Sequence, residues 1–145
     1  MMQKTVRLVV AALLGFVVGS VTNMAIVVVG PILIPPPPGV DMSTMESLAE
    51  TIHLMGPLNF AAPFLAHALG TFSGVFVCCL LAGERRNLLA GILAVLFLAG
   101  GIAASTMIPA PLWFIAMDLL LAYLPMAWLG LLLANRMKPI AIFES

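Results

Sequence analysis

Between Arg7 and Asp41 the chain carries no Asp, Glu, Lys or Arg, and the same holds between Glu50 and Glu84, between Arg86 and Asp118, and between Asp118 and Arg136. A helix of about 20 apolar residues covers the hydrocarbon core of a bilayer. Within that core every backbone N–H and C=O must be paired inside the segment, so uncharged stretches of this length are restricted to helices. Proline has no amide donor and clashes with the preceding turn, so "PAP" at Pro109 to Pro111 divides the third stretch from the fourth. The pattern predicts an all-α integral membrane protein: a four-transmembrane-helix bundle with spans at about 6–34, 58–83, 88–108 and 112–134 and a loop at 35–57. All 145 residues fall in one domain, and 8% charged residues with a mean hydropathy of +1.18 contrast with about 25% charged in soluble domains.

The basic residues fix the expected orientation. Lys4 and Arg7 precede the first span, Arg85 and Arg86 join the second to the third, and Arg136 and Lys138 follow the fourth. Four crossings put all of them on one side, while the 35–57 loop holds Asp41, Glu46 and Glu50 without Lys or Arg. By the positive-inside rule both termini are cytoplasmic and the loop is extracytoplasmic, as in a cell inner (plasma) membrane. The first apolar run is longer than the roughly 7–15 residues of a signal-peptide core, which predicts a retained helix. The lipid bilayer is the expected partner. A net charge of zero argues against nucleic acid, which requires a basic footprint.

The loop opens with Pro35 to Pro38, which predicts a stiff polyproline strut. Ser43 and Glu46 have capping-box spacing, and Gly56-Pro57 supplies a stop, predicting a short amphipathic helix between spans one and two. Met45, Leu48, Ala49, Ile52 and Met55 would share one face of it, with Glu46, Glu50 and His53 on another. Glu50 and His53 alone do not complete a metal site, and neither do the adjacent Cys78 and Cys79. No metal or cofactor is expected. Trp113 and Phe114 read as an aromatic belt at the membrane surface.

Inside the membrane the informative residues are small or polar. Gly15 and Gly19 in the first span, and Gly70 and Gly74 in the second, have the four-residue spacing that lets helix backbones approach. Asn23, His67, Thr71 and Asp118 are the candidates for a ligand or proton site, because Asn23, His67 and Asp118 lie at similar depths in the outer half. A carboxylate near the middle of a membrane costs about 2.5–3.5 kcal/mol on insertion scales, so Asp118 is expected to face the protein interior, with His67 as its partner. Asn23 and Thr71 are expected to satisfy the remaining valences of that pair. Pro63 and Pro125 are expected to kink their helices near the same level.

The stretches "GFVVGSVTNM", "GVDMSTMESL" and "FLAHALGTFSG" resemble those of a loose group of small bacterial four-helix membrane proteins. The resemblance covers about the first half of the chain. It implies a four-helix architecture with an acidic outer loop and carries over no catalytic residue. Three functional readings follow. The first is a non-catalytic assembly or accessory subunit that docks other helices through its glycines and Asp118. The second is an oligomeric transporter or small-ligand-binding protein using the outer-half site, with a second copy or a partner membrane subunit. The third is a membrane-embedded enzyme in which His67 acts as a base on a lipid or quinone; no nucleophile or phosphate loop supports it.

Overall fold

A computed structural model describes residues 2–140, and those residues are helical with short connections. Helix α1 (Met2–Leu33) leads into the loop, which holds α2 (Met45–Thr51) and two 3-10 turns, Ile52–Leu54 and Pro57–Phe60. Helices α3 (Ala61–Ala82), α4 (Arg86–Met107), α5 (Leu112–Leu121) and α6 (Leu124–Asn135) follow. Four segments are long and apolar enough to cross a membrane: Gln3–Leu33, Pro57–Ala82, Arg86–Met107 and Leu112–Asn135. The last of these is α5 and α6 in series, interrupted at Ala122 and Tyr123.

Helix α3 is the centre of the bundle and packs against α1, α4 and α6. The α1–α3 contact is antiparallel and depends on the two predicted glycine stripes. A Cβ on Gly15 would stand 2.6 Å from the Gly74 carbonyl oxygen, and one on Gly19 would stand 2.7 Å from that of Gly70. The reverse contacts are as tight, with Gly70 against the Gly19 carbonyl and Gly74 against that of Gly15. Each helix therefore lays its bare backbone against the other's. Ser73 Oγ donates to Thr22 Oγ1 across the same interface at 3.1 Å. Gly130 brings α6 equally close to α3 at Phe72 and Phe76.

At the basic end two arginines close the helix termini, where unpaired carbonyls and the helix dipole both favour a cation. Arg7 Nε donates to the Leu81 carbonyl at 2.8 Å, and Arg86 Nη1 to that of Ala134 at 2.6 Å. A second Arg7 nitrogen reaches the Ile140 carbonyl at 3.2 Å. Cys78 and Cys79 are free thiols buried in the apolar cluster at this end, with Val75, Ala90 and Leu93.

The opposite end departs from the sequence expectations in several places. The proline strut is short, because the Pro37 carbonyl accepts the Val40 amide and turns the chain at Pro38 and Gly39. The α2 cap is one residue later than the Ser43–Glu46 spacing suggests. Thr44 Oγ1 accepts the Ser47 amide at 3.0 Å and Ser47 Oγ accepts the Thr44 amide at 3.1 Å, while Asp41 Oδ1 accepts the Ser43 amide and commits Ser43 to the preceding turn. Pro63 stands in the first turn of α3 rather than mid-helix, where the missing amide is tolerated. Phe114 is not part of a surface belt: it is buried against Phe60 at a ring separation of 4.7 Å, and Trp113 meets Phe60 edge-on.

Candidate functional site

His67 lies two turns into α3, and its Nδ1 is 2.9 Å from Asp118 Oδ1 and 2.8 Å from Asp118 Oδ2. Asp118, on α5, is 4% exposed. The sequence points to this pair because His67 and Asp118 lie at similar levels in their segments. The structure adds a third member. Tyr123, 2% exposed, donates its hydroxyl to Asp118 Oδ2 at 3.2 Å and stacks on the His67 ring at a centroid separation of 5.7 Å.

The break between α5 and α6 is what brings Tyr123 to Asp118. Residues five apart point about 140° away from each other on an unbroken helix. Pro125 cannot donate to the Leu121 carbonyl, and its ring clashes with that carbonyl. The chain responds two residues earlier: Tyr123 leaves regular helix geometry at φ −111°, ψ −77°, and its ring lies against Asp118. Gly101 on α4 makes room for this, since a Cβ there would overlap the Tyr123 hydroxyl.

Two cavities meet at this cluster. The first, of about 210 Å³, lies between the loop and the His67–Asp118 pair. Leu48, Ile52 and Met55 border it on the loop side, and Phe60 and Phe114 form part of its wall. The second, of about 370 Å³, is bordered by Ser20, Asn23, Thr71 and Tyr123. His67 and Gly101 border both.

Of the four residues the sequence nominates, then, His67 and Asp118 are in direct contact. Asn23 and Thr71 share the second cavity with His67, but neither bonds to the pair, and Thr71 Oγ1 is buried with no partner among the described residues. The Asp118 valence expected to fall to them is taken by Tyr123. The sequence does carry a signal for it: Tyr123 is the single tyrosine of the chain and stands two residues before Pro125. Among the described residues no three of His, Cys, Asp and Glu gather as a metal site.

Nδ1 of His67 is committed to the Asp118 carboxyl. Nε2 has no hydrogen-bond partner among the described residues, and the His67 side chain retains 21% exposure. The cluster can therefore offer a ring nitrogen to something that enters beside it.

No protein-family model, curated protein or solved structure matches the chain.

Proposed function

We propose that this chain is a small-ligand-binding membrane protein. Its four apolar segments cross a bacterial inner membrane with both termini cytoplasmic, and its site lies in the outer half beneath an extracytoplasmic loop. The observation that carries the reading is the 2.8 Å contact between His67 and Asp118 at the border of an apolar cavity. A buried ion pair adds little stability over apolar packing, so a polar cluster that borders a cavity is better accounted for by recognition than by folding. The asymmetric collection of six basic residues at one end supports the orientation.

Two observations weigh against the assembly reading. Gly15, Gly19, Gly70 and Gly74, the residues expected to dock a partner, face one another inside the chain. Asp118 is likewise internal. Transport is less favoured than binding, because the glycine contacts close α1 tightly onto α3 from the level of the site toward the basic end. The enzyme reading gains no nucleophile from the geometry.

A benzylic diazirine photoprobe tests the proposal in lipid nanodiscs. Light-dependent labelling should concentrate on peptides containing Phe60, Ile108 and Phe114, and Ala104→Phe, which fills the cavity, should suppress it. Labelling spread evenly over lipid-facing residues and unchanged by Ala104→Phe would rule the proposal out.

A further inference from the structure

Resting on the placement of the four apolar segments across a membrane, we infer that the second cavity is a hydration site inside the bilayer, where water supplies the hydrogen bonds that Ser20, Asn23 and Thr71 lack.

Hydroxyls inside the helices of this chain divide into two groups. Ser73 donates to the Gly70 carbonyl and to Thr22 Oγ1, Ser105 donates to the Ile102 carbonyl, and Thr106 donates to that of Ala103. A bond of this kind is open to any helical serine or threonine, whose oxygen reaches a carbonyl one turn back. Ser20 and Thr71 make none among the described residues, although Thr71 is 1% exposed. The Asn23 amide, with two donor hydrogens and an acceptor oxygen, is likewise without a partner there. All three residues border the cavity of about 370 Å³.

Their depth makes this costly. Asn23 lies about 15 Å from the loop end of α1 at Leu33, and Thr71 about 15 Å from the loop end of α3 at Ala61. That is about half the thickness of the hydrocarbon core, where a polar group left unpaired loses the full worth of its hydration. A buried water settles where a polar site has room and two or more partners to offer. The second cavity meets both conditions. An acyl chain filling the same space would leave each of these groups unpaired.

The cavity is closed toward the basic end. The Phe97 ring seats against Gly19 and Gly74, where an added Cβ would stand 2.5 Å and 3.0 Å from it, and it stacks on Phe16 at 5.6 Å. Beyond that ring Val75, Cys78 and Leu93 are buried in the apolar cluster. Water is therefore held at one level and not drawn through the bundle.

Water-edited solid-state NMR of the protein in lipid bilayers tests this, by the rate at which polarisation passes from water to each side chain. Thr71 and Thr22 form a matched pair on two packed helices. Thr71 is the more buried, and Thr22 is bonded to Ser73. Burial alone makes Thr22 the faster of the two. Hydration of the cavity reverses that order, so Thr71 and Asn23 should both receive polarisation faster than Thr22. Val21, 63% exposed and facing lipid near the same level, should stay slow. Thr71→Val gives a second readout. In a hydrated site it removes a hydrogen bond to water and should lower the unfolding midpoint in mixed detergent–SDS micelles, whereas in a dry site it removes an unpaired hydroxyl and raises that midpoint.

Thr71 no faster than Thr22, or a raised midpoint in Thr71→Val, overturns the hydration site and leaves the membrane placement standing. A Val21 rate as high as that of Met42 in the loop overturns the placement itself, and the hydration site with it. The wild-type rates need no variant, so a folding defect in Thr71→Val leaves the first comparison intact.

Discussion

The Tyr123 hydroxyl donates to Asp118 across a break in the fourth apolar segment, at 3.2 Å. Tyr123→Phe removes the donor and keeps the ring that stacks on His67. The loss should be about 1–3 kcal/mol, the cost of leaving a buried acceptor short of a partner. Reversible unfolding in mixed detergent–SDS micelles, followed by circular dichroism, measures it. Pro125→Ala should lose a similar amount by restoring helix through Tyr123 and turning the ring away, and it should show added helicity where Tyr123→Phe does not.

The His67–Asp118 pair makes a prediction about roles. Asp118→Leu alone leaves an uncompensated imidazole and should cost about 3–5 kcal/mol, whereas His67→Leu combined with Asp118→Leu should recover most of that loss. The same unfolding assay completes the cycle.

Glycines in this chain divide by what surrounds them. Gly15→Ala puts a methyl group against Cys78 and the Gly74 carbonyl, while Gly91 has nothing within 4 Å. The first substitution should cost about 1–3 kcal/mol by overpacking. Gly91→Ala, in a helix interior, should instead gain about 0.5–1 kcal/mol. Thermal denaturation in detergent, with the two variants run side by side, reads the difference.

The loop carries a pH dependence of its own. Hydrogen bonds from Ser43 hold the Asp41 carboxyl below its ordinary value of 3.8. A carboxyl with a lowered folded-state value stabilises the loop fully above the ordinary value and loses that contribution as pH falls through the lowered one. Amide exchange at Ser43 should therefore be slow at neutral pH and accelerate, relative to an unstructured peptide, only below about pH 4. Asp41→Asn should remove the dependence.

The legibility of this molecule in its sequence follows the range of the interaction concerned. The four segments, their approximate limits and the glycine stripes depend on hydropathy and spacing along one helix, which the linear order displays directly. His67 and Asp118 could be paired because charge is so scarce here that depth alone left one candidate for each. Tyr123 could not be placed by the same reasoning. Its contact requires the helix to fail at Pro125, and the direction in which a broken helix turns depends on neighbours such as Gly101, distant in sequence. Asn23 and Thr71 show the converse limit. Their level is close to that of His67, but they border the second cavity and neither bonds to the Asp118 carboxyl. In the loop, Asp41 competes with the helix cap for the Ser43 amide, and a spacing rule does not register that competition.

Arg7 bridges the Leu81 and Ile140 carbonyls, so one guanidinium near the start of α1 ties together the end of the second apolar segment and the chain beyond the fourth. This gives the basic end a biosynthetic order. A ribosome delivers Arg7 some 130 residues before its last acceptor, so this end closes only after the fourth apolar segment has been made. Until then the cluster at the opposite end is also incomplete, since Asp118 and Tyr123 arrive on the same late segment.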